Sequence, residues 1–259
     1  MSNLTVCCVT RNHAHYLQEW VRYHHAIGVD RFVMYLDRCE DNTQEVLESL
    51  DYNIVIREAV HEDSVQMPTY YQATKEFSDC EWLLFIDDDE FVYTKKPLPK
   101  ILKKFEKFGG LSIYAKVFGP GNAKNIVQSR IFELTSRSYS VLITSEDIRT
   151  IKTFMRMPYF SNTFNAHIQE SWKPIVALDR MSFALTENGT ASIQNPIYDD
   201  LYICHYQTGS IEDWVQKYRM GCVAGIKPKN YYSVEKLLFY TDDIVEDRCM
   251  IEAFNRFVK

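Results

Sequence analysis

Four consecutive carboxylates, Asp87 to Glu90, directly follow the most hydrophobic run of the chain, Trp82 to Ile86. A short apolar run of this kind is typical of a strand buried on both faces of a parallel sheet. Two carboxylates about 5 Å apart repel each other by roughly 3 kcal/mol at an effective dielectric of about 20. The chain must therefore fold so that a core strand ends at a site able to hold concentrated negative charge.

Strand-like runs alternate with stretches of helical spacing over the first 90 residues. Strands are predicted over Leu4 to Thr10, Arg31 to Leu36, Asn53 to Arg57 and Trp82 to Ile86, and a helix over Thr69 to Phe77. This alternation predicts an α/β fold whose parallel sheet carries helices on both faces. Further strands are predicted over Leu111 to Val117 and Leu201 to Cys204, and helices over Ser210 to Val223 and Ser233 to Val258. The sheet is expected to become mixed after residue 118.

Polar clusters follow three of the predicted strands: Thr10 to Asn12, Asp37 to Asn42, and Asp87 to Glu90. In open parallel sheets, ligands bind beyond the carboxyl ends of the strands. Strand alternation predicts Asp87 and Asp89 on one face and the other two carboxylates on the opposite face. Hard oxygen ligands of this kind favour Mg²⁺ or Mn²⁺. A solvated acidic turn is the alternative interpretation.

Composition narrows the class of protein. A length of 259 residues is consistent with one domain. The chain has 35 acidic and 29 basic residues, which gives a net charge of −6, and it has no basic stripe, so nucleic-acid binding is not expected. The seven cysteines form an odd set without a Cys-x-x-Cys pair, which favours a reducing compartment. Neither a signal peptide nor an apolar run of about 18 residues is visible, so a cytoplasmic location without a transmembrane segment is expected.

Motifs spread along the chain resemble those of the family 92 and family 2-like glycosyltransferases. The matching residues are Arg11-Asn12, Tyr16-Leu17, Glu19-Trp20, Tyr23-His24, Gly28-Val29, Gln66, Trp82, Phe85 to Phe91, His205-Tyr206, Ser210, Glu212, Lys217, Arg219 and Gly221. They stand in the order that the family has. Two departures are His13, where the family has an acidic residue, and Gly209, where it has a lysine.

The resemblance implies a single nucleotide-diphospho-sugar transferase domain of the GT-A type, a Rossmann-like α/β sandwich with a mixed, mostly parallel sheet. Residues 1–92 would form its nucleotide-binding half, residues 93–225 its acceptor-side half, and residues 226–259 a C-terminal helical segment.

The resemblance also implies the reaction and its participants. A metal-dependent enzyme, with Mn²⁺ or Mg²⁺, would move a sugar from a UDP-sugar donor to an oligosaccharide, polysaccharide or glycoconjugate acceptor, with inversion. The residues expected to bind the donor are Thr10, Arg11, Asn12, Asp37, Gln66, Asp87, Asp88 and Lys217, with Arg219 as a further cation for the diphosphate. The residues expected to bind the metal are Asp87, Asp89 and His205.

Inversion requires a base for the acceptor hydroxyl, and such a base must come within about 3 Å of that oxygen. Glu170 is the first candidate, because it follows His167 in the predicted acceptor region. Asp147, beside Glu146, is the second, although a solvated loop explains that pair equally well. His167 suits either the acceptor cleft or a surface loop, and His24 is more simply a packing histidine.

Two other classes of function remain open. A metal-dependent nuclease or phosphohydrolase could use Asp87, Asp89 and Glu90 to activate water. A non-catalytic nucleotide- or glycan-binding module is the second, and the departures at His13 and Gly209 would suit it.

Overall fold

The computed structural model describes residues 3–60, 64–138, 151–162, 167–179, 185–187, 190–192, 200–221, 232–241 and 244–258. Its strands are β1 (Leu4–Thr10), β2 (Arg31–Leu36), β3 (Ile54–Glu58), β4 (Trp82–Phe85), β5 (Glu90–Thr94), β6 (Gly110–Val117), β7 (Ser136–Ser138), β8 (Ile151–Arg156), β9 (Phe160–Asn162), β10 (Glu170–Ser171), β11 (Ile175–Val176), β12 (Leu185–Glu187), β13 (Thr190–Ser192), β14 (Leu201–His205) and β15 (Ile244–Glu246). Its helices are α1 (Ala14–Ala26), α2 (Thr43–Ser49), α3 (Gln66–Glu76), α4 (Leu98–Leu102), α5 (Arg130–Glu133), α6 (Ile211–Met220), α7 (Val234–Thr241) and α8 (Cys249–Phe257).

The centre of the fold is a nine-stranded sheet in the order β3-β2-β1-β4-β8-β6-β14-β5, with β11 added beside β6. Strands β3, β2, β1 and β4 are parallel, β8 runs antiparallel between β4 and β6, and β14 is parallel to β6 and antiparallel to β5. This arrangement confirms the predicted α/β class and its mixed, mostly parallel sheet.

Alternate residues of β1 face opposite layers of the core. Val6 and Cys8 lie in the apolar cluster that contains Trp20 of α1, whereas Cys7 and Val9 lie in a second cluster with α3. Because both faces are covered, β1 is buried along its whole length. Cys7 and Cys8 are fully buried, and the cysteines that the structure describes are free.

The predicted continuous helix over Ser233 to Val258 is wrong. Strand β15 separates α7 from α8 and pairs antiparallel with β7. Asp247 holds this connection, since its carboxylate lies 3.6 Å from Lys116 Nζ and 3.3 Å from Arg137 Nη1 and accepts a hydrogen bond from the Cys249 amide. Tertiary pairing of a short β-branched segment thus overrides its helical spacing.

No helix within the described ranges is both long enough and apolar enough to cross a bilayer.

Candidate active site

The carboxyl ends of several strands meet at one edge of the sheet. Thr10 ends β1, Asp37 directly follows β2, and His205 ends β14 beside Val117 of β6. Strand β4 ends at this edge too, and the acidic run follows it. Because parallel strands align their carboxyl ends, polar residues far apart in the sequence become neighbours here.

The acidic run does not continue β4 as a strand, so the predicted alternation of its side chains between two faces is wrong. Strand β4 ends at Phe85 and β5 begins at Glu90. The turn between them is closed by the Glu90 amide, which donates to the Asp87 carbonyl oxygen at 3.1 Å. This turn separates Asp87 from Asp89: Asp87 shares Lys152 with Glu90, whereas Asp89 pairs with Lys217.

Lys152 of β8 lies between two of the carboxylates. Its Nζ is 2.9 Å from Oδ2 of Asp87 and 3.0 Å from Oε2 of Glu90. Burial alone would lower the pKa of Lys152, but the two carboxylates outweigh burial and raise that pKa above its ordinary value. Burial raises the pKa of Glu90, and the lysine opposes this rise. The Glu90 side chain is 1% exposed and that of Asp87 is 29% exposed, so Asp87 is the more open of the two.

Asp89 has two cationic partners. Lys217 Nζ donates to its Oδ2 at 2.6 Å and to the Gln207 carbonyl oxygen at 2.8 Å, while His205 Nε2 lies 3.4 Å from Oδ1 of Asp89. Burial alone would raise the pKa of Asp89, but Lys217 and His205 hold it well below its ordinary value. Burial alone would lower the pKa of His205, but the carboxylates of Asp89, Glu90 and Asp87 together raise it. The structure therefore brings together three residues that the sequence analysis selected.

Asp88 points toward the interior. Thr10 Oγ1 donates to its Oδ2 at 2.5 Å, and His13 Nδ1 lies 2.9 Å from the same oxygen. Burial alone would raise the pKa of Asp88, but His13 and Arg130 together lower it. Arg130, fully buried over the Tyr16 ring, donates through Nη1 to the Asp88 carbonyl oxygen at 2.8 Å. Asp88 and Thr10 therefore bind each other, and His13 and Arg130 fix the acidic turn.

Asp37 is fully buried between two arginines. The Arg11 guanidinium pairs with its carboxylate through Nη2, donates through Nε to its carbonyl oxygen at 3.1 Å, and donates through Nη1 to the Met220 carbonyl oxygen at 3.0 Å. Arg38 Nε lies 2.9 Å from the other carboxylate oxygen. These contacts tie the end of β2 to the end of α6.

Asn12 organises the loop after β1. Its Oδ1 accepts hydrogen bonds from the amide of Glu40 at 2.7 Å and from that of Asp41 at 3.4 Å. Asn12 and Arg38 have positive φ angles of 54° and 50°, a region that few residues other than glycine adopt. Backbone of this kind concentrates at ligand sites, where surrounding contacts hold it in place.

Gln66 is the first residue of α3, which begins three residues before the predicted start at Thr69. Its Nε2 donates to Asp87 Oδ1 at 3.2 Å, and the Tyr70 hydroxyl donates to the same oxygen at 3.4 Å. Gln66 therefore lies beside the acidic run, and its role in donor binding stays a prediction.

Lys152, Arg130, His13 and Tyr70 belong to this site but were not selected from the sequence as site residues. Lys152 carries a recognisable signal, because it is a lone charge in a run of strand-forming residues, Ile151 to Met155. Arg130 carries none, since its contacts with Tyr16 and with the acidic turn are both long-range.

Glu170 is not brought to this cluster. It is exposed in β10, opposite Asn162 of β9. The next residue, Ser171, donates to the Tyr159 carbonyl oxygen at 2.9 Å, beyond the end of β8 and therefore toward the opposite edge of the sheet. The structure does not support Glu170 as the base.

Of the other residues of the predicted acceptor region, the structure describes His167 but not Glu146 or Asp147. His167 is half-buried rather than on a surface loop, and its Nδ1 lies 3.1 Å from the Ile151 carbonyl oxygen. Burial, with Lys152 as the second cause, lowers the pKa of His167 to about 4. His167 is therefore a neutral neighbour of the lysine that binds Asp87.

The predicted metal ligands Asp87, Asp89 and His205 do not converge on one point. Lys152 contacts Asp87, and Lys217 contacts Asp89, so lysine ammonium groups supply the positive charge beside these carboxylates. Across the described part of the chain, no three histidine, cysteine, aspartate or glutamate side chains are arranged to hold a metal ion. As they stand, these residues do not fit a resident Mn²⁺ or Mg²⁺, and the metal stays a prediction of the resemblance.

Comparisons with known proteins bear on this site. Two curated relatives, glycosyltransferase family 92 proteins of Oryza sativa subsp. japonica and of Ricinus communis, are each 31% identical over 132 residues. Each match covers 48% of this chain but 23% and 24% of the respective relative, so it spans about a quarter of their length.

Solved structures resemble the chain only distantly. HddC from Yersinia pseudotuberculosis has a TM-score of 0.45 at 9% identity, covering 82% of this chain and 96% of that one. The 4-diphosphocytidyl-2C-methyl-D-erythritolsynthase from Anaerococcus prevotii has a TM-score of 0.35 at 11% identity, covering 60% and 72%. Neither likeness is close enough to bear on activity. The family model described as glycosyltransferase family 92, by contrast, matches residues 2–219, and the chain belongs to that family.

Proposed function

We propose that this chain transfers a sugar from a UDP-linked donor to a glycan acceptor, with inversion at the anomeric carbon. The observation that carries the proposal is the position of Asp87, within a family 92 chain. It follows the core strand β4, contacts Gln66 and Tyr70, and keeps 29% of its side chain exposed. An accessible carboxylate fixed at the carboxyl end of a parallel strand suits a ligand hydroxyl group.

The nucleoside would bind between the ends of β1 and β2. Arg11 and Asp37 are already held there by an ion pair, and Asn12 fixes the following loop. Pre-organised polar groups bind a ligand without a further cost in ordering their side chains. Asp87 would then accept hydrogen bonds from the ribose hydroxyls.

Lys217 and His205, when protonated, would meet the diphosphate. Both lie at the carboxyl-end edge, and both contact Asp89, which fixes their position. In the transfer, the acceptor oxygen bonds to the anomeric carbon while the bond from that carbon to the diphosphate oxygen breaks. The electron pair leaves with the diphosphate, whose growing negative charge these cations would stabilise. The acceptor proton passes to a base.

The rival functions receive less support. A metal-dependent nuclease or phosphohydrolase needs converging carboxylates, and here lysines engage Asp87, Asp89 and Glu90. A non-catalytic nucleotide-binding module would use Asp37 and the accessible Asp87 in the same way, so the two functions differ in whether the donor is hydrolysed. Departures at His13 and Gly209 do not favour it, because His13 bonds Asp88 and Gly209 has a φ of +61° beside Asp213, where a side chain would clash.

The test is a panel of nucleotide sugars, each added with Mn²⁺, with Mg²⁺ and with EDTA, and scored by thermal shift and by slow hydrolysis of the donor. Stabilisation and hydrolysis confined to UDP-sugars would support the proposal. Hydrolysis of nucleic acid or of simple phosphate esters would support the phosphohydrolase, and binding without hydrolysis would support the binding module. Comparison of the three additions decides separately whether a metal takes part.

A further inference from the structure

A cavity lies beside the acidic site. It has a volume of about 430 Å³ and opens between the start of α1, the loop after β2 and the end of α6. Small-molecule sites commonly have volumes of about 300–1,000 Å³. Asn12 forms part of its wall, and the preceding residue, Arg11, pairs with Asp37. The cavity is therefore adjacent to the proposed donor site.

Three polar side chains that line this cavity have no side-chain partner among the described residues. Within the described part of the chain, Glu40, Gln216 and Arg219 make no side-chain hydrogen bond or ion pair, although all three line the cavity. Asn12 and Asp41, by contrast, are engaged by backbone amides and form a fixed wall. The cavity thus combines pre-organised walls with hydrogen-bonding groups that are available to a ligand.

The two cationic residues of helix α6 face different sites, one the acidic turn and the other the cavity. Lys217 is buried and contacts Asp89, whereas Gln216 and Arg219, three residues apart on another face, line the cavity. The sequence analysis assigned both Lys217 and Arg219 to the diphosphate, and the structure separates them.

The charges around the cavity argue against a diphosphate as its ligand. Among the described residues, the carboxylates of Glu40 and Asp41 line it against the guanidinium of Arg219. His15 adds no positive charge near neutral pH, because burial lowers its pKa and Arg130 lowers it further. A diphosphate would therefore face more negative than positive charge.

A sugar ring suits the same lining. Its hydroxyl groups both donate and accept hydrogen bonds, which matches a carboxylate, an amide and a guanidinium together. Ile126 and Met220 provide an apolar surface for its C–H face. The His15 ring packs on Tyr16 with 3.8 Å between centroids, which fixes the imidazole at the cavity wall.

We propose that this cavity binds a neutral hexose ring of the glycan acceptor, next to the donor. The inference rests on the proposed function, because a sugar here is an acceptor only if a donor binds beside it. Gln216 and Arg219 are the hydrogen-bonding residues that select the ring, and His15 contacts its edge.

Saturation-transfer NMR tests the site with free D-galactose, D-glucose, D-mannose and N-acetyl-D-glucosamine as separate probes, each with and without UDP. The variants are Gln216→Trp, which fills the cavity, and Arg219→Ala, which removes a donor without adding bulk. Gln72→Trp is the control, because Gln72 is an exposed glutamine of the same kind on α3. UDP binding is followed in every variant by thermal shift.

We expect at least one sugar to show saturation transfer with the wild type and with Gln72→Trp, and UDP not to displace it. The signal should fall by about tenfold in Gln216→Trp and also decrease in Arg219→Ala. Absence of a signal from all four sugars, its persistence in both cavity variants, or displacement by UDP would overturn the inference. If the chain does not bind UDP, the proposed function fails independently of these sugar signals.

Discussion

Lys217 Nζ donates to Asp89 Oδ2 at 2.6 Å and so joins α6 to the acidic turn across 128 positions of the sequence. Both side chains are nearly buried, at 8% and 11% exposure. A strand end with four carboxylates would be unstable without compensating charge, and this contact, with that of Lys152, supplies it from the chain itself.

The first prediction concerns this ion pair. Lys217→Met leaves the buried carboxylate of Asp89 with His205 as its remaining cationic partner, so the free energy of unfolding should fall by about 3–5 kcal/mol. Urea unfolding at neutral pH measures the loss. Lys217→Met combined with Asp89→Asn should regain much of it, because the unpaired charge is then absent. A loss in the single variant below about 1 kcal/mol would contradict the structure.

The second prediction separates binding from stability within the acidic run. Asp87→Asn should weaken UDP binding by about tenfold, or about 1.4 kcal/mol, because the exposed carboxylate is the one proposed to meet the ribose. Asp87→Asn should lower the free energy of unfolding less than Glu90→Gln does. Glu90→Gln should do the reverse, since the Glu90 side chain is 1% exposed and bonds Lys152 and the Asp87 amide.

Calorimetric titration of UDP and urea unfolding, applied to both variants, check this second prediction. Equal losses of UDP affinity in the two would mean that the turn does not orient Asp87 and Glu90 differently. A donor site built on Asp87 would then have no support from mutagenesis.

The sequence predicts those features of the fold and the site that depend on neighbouring residues. It does not predict those that depend on residues far apart in the chain. Strands β1 and β2 have the predicted bounds, because a continuous run of apolar residues marks each buried strand in the sequence. The acidic run was located correctly, but the alternation of its side chains was not. A turn rather than a strand follows Phe85, and the next strand, β5, pairs with β14 instead of extending β4.

Two of the site residues that were not predicted, Lys152 and Arg130, are positioned by partners far away in the sequence. The place of Lys152 follows from the antiparallel insertion of β8 between β4 and β6, which brings the start of β8 to the carboxyl-end edge. Local patterns contain no information on that insertion. The burial of Arg130 likewise depends on Tyr16, more than 100 positions earlier.

The third prediction concerns the metal. Lys217→Met should bind Mn²⁺ about tenfold more tightly than the wild type does in the absence of nucleotide, because Asp89 is then free beside His205. Lys217→Arg is the matched control, since it keeps the positive charge and should gain nothing. Electron paramagnetic resonance of free Mn²⁺ measures the binding, with circular dichroism to confirm that each variant is folded. Equal affinity in the wild type and Lys217→Met would show that Lys217 does not occupy a metal position.

The last prediction concerns acid stability and His24. This side chain is fully buried, its Nδ1 lies 2.9 Å from the Trp20 carbonyl oxygen, and its Nε2 accepts a hydrogen bond from the Val92 amide at 3.2 Å. Nε2 can accept only while the ring is neutral, and burial lowers the pKa of His24 from 6.5 to about 3.

A folded-state pKa below the unfolded one means that His24 stabilises the fold fully above pH 6.5 and loses that contribution as the pH falls toward 3. The loss is about 1.4 kcal/mol per pH unit, so the free energy of unfolding should decrease by about 2 kcal/mol between pH 6.5 and pH 5 on account of this residue. Urea unfolding over that interval, with the wild type, His24→Gln and His25→Gln compared, isolates the effect. His25 is the neighbouring exposed histidine, so its variant should follow the wild type in parallel. The stability difference between the wild type and His24→Gln should shrink as the pH falls, and a difference that stays constant with pH would show that the native state accepts the proton on His24.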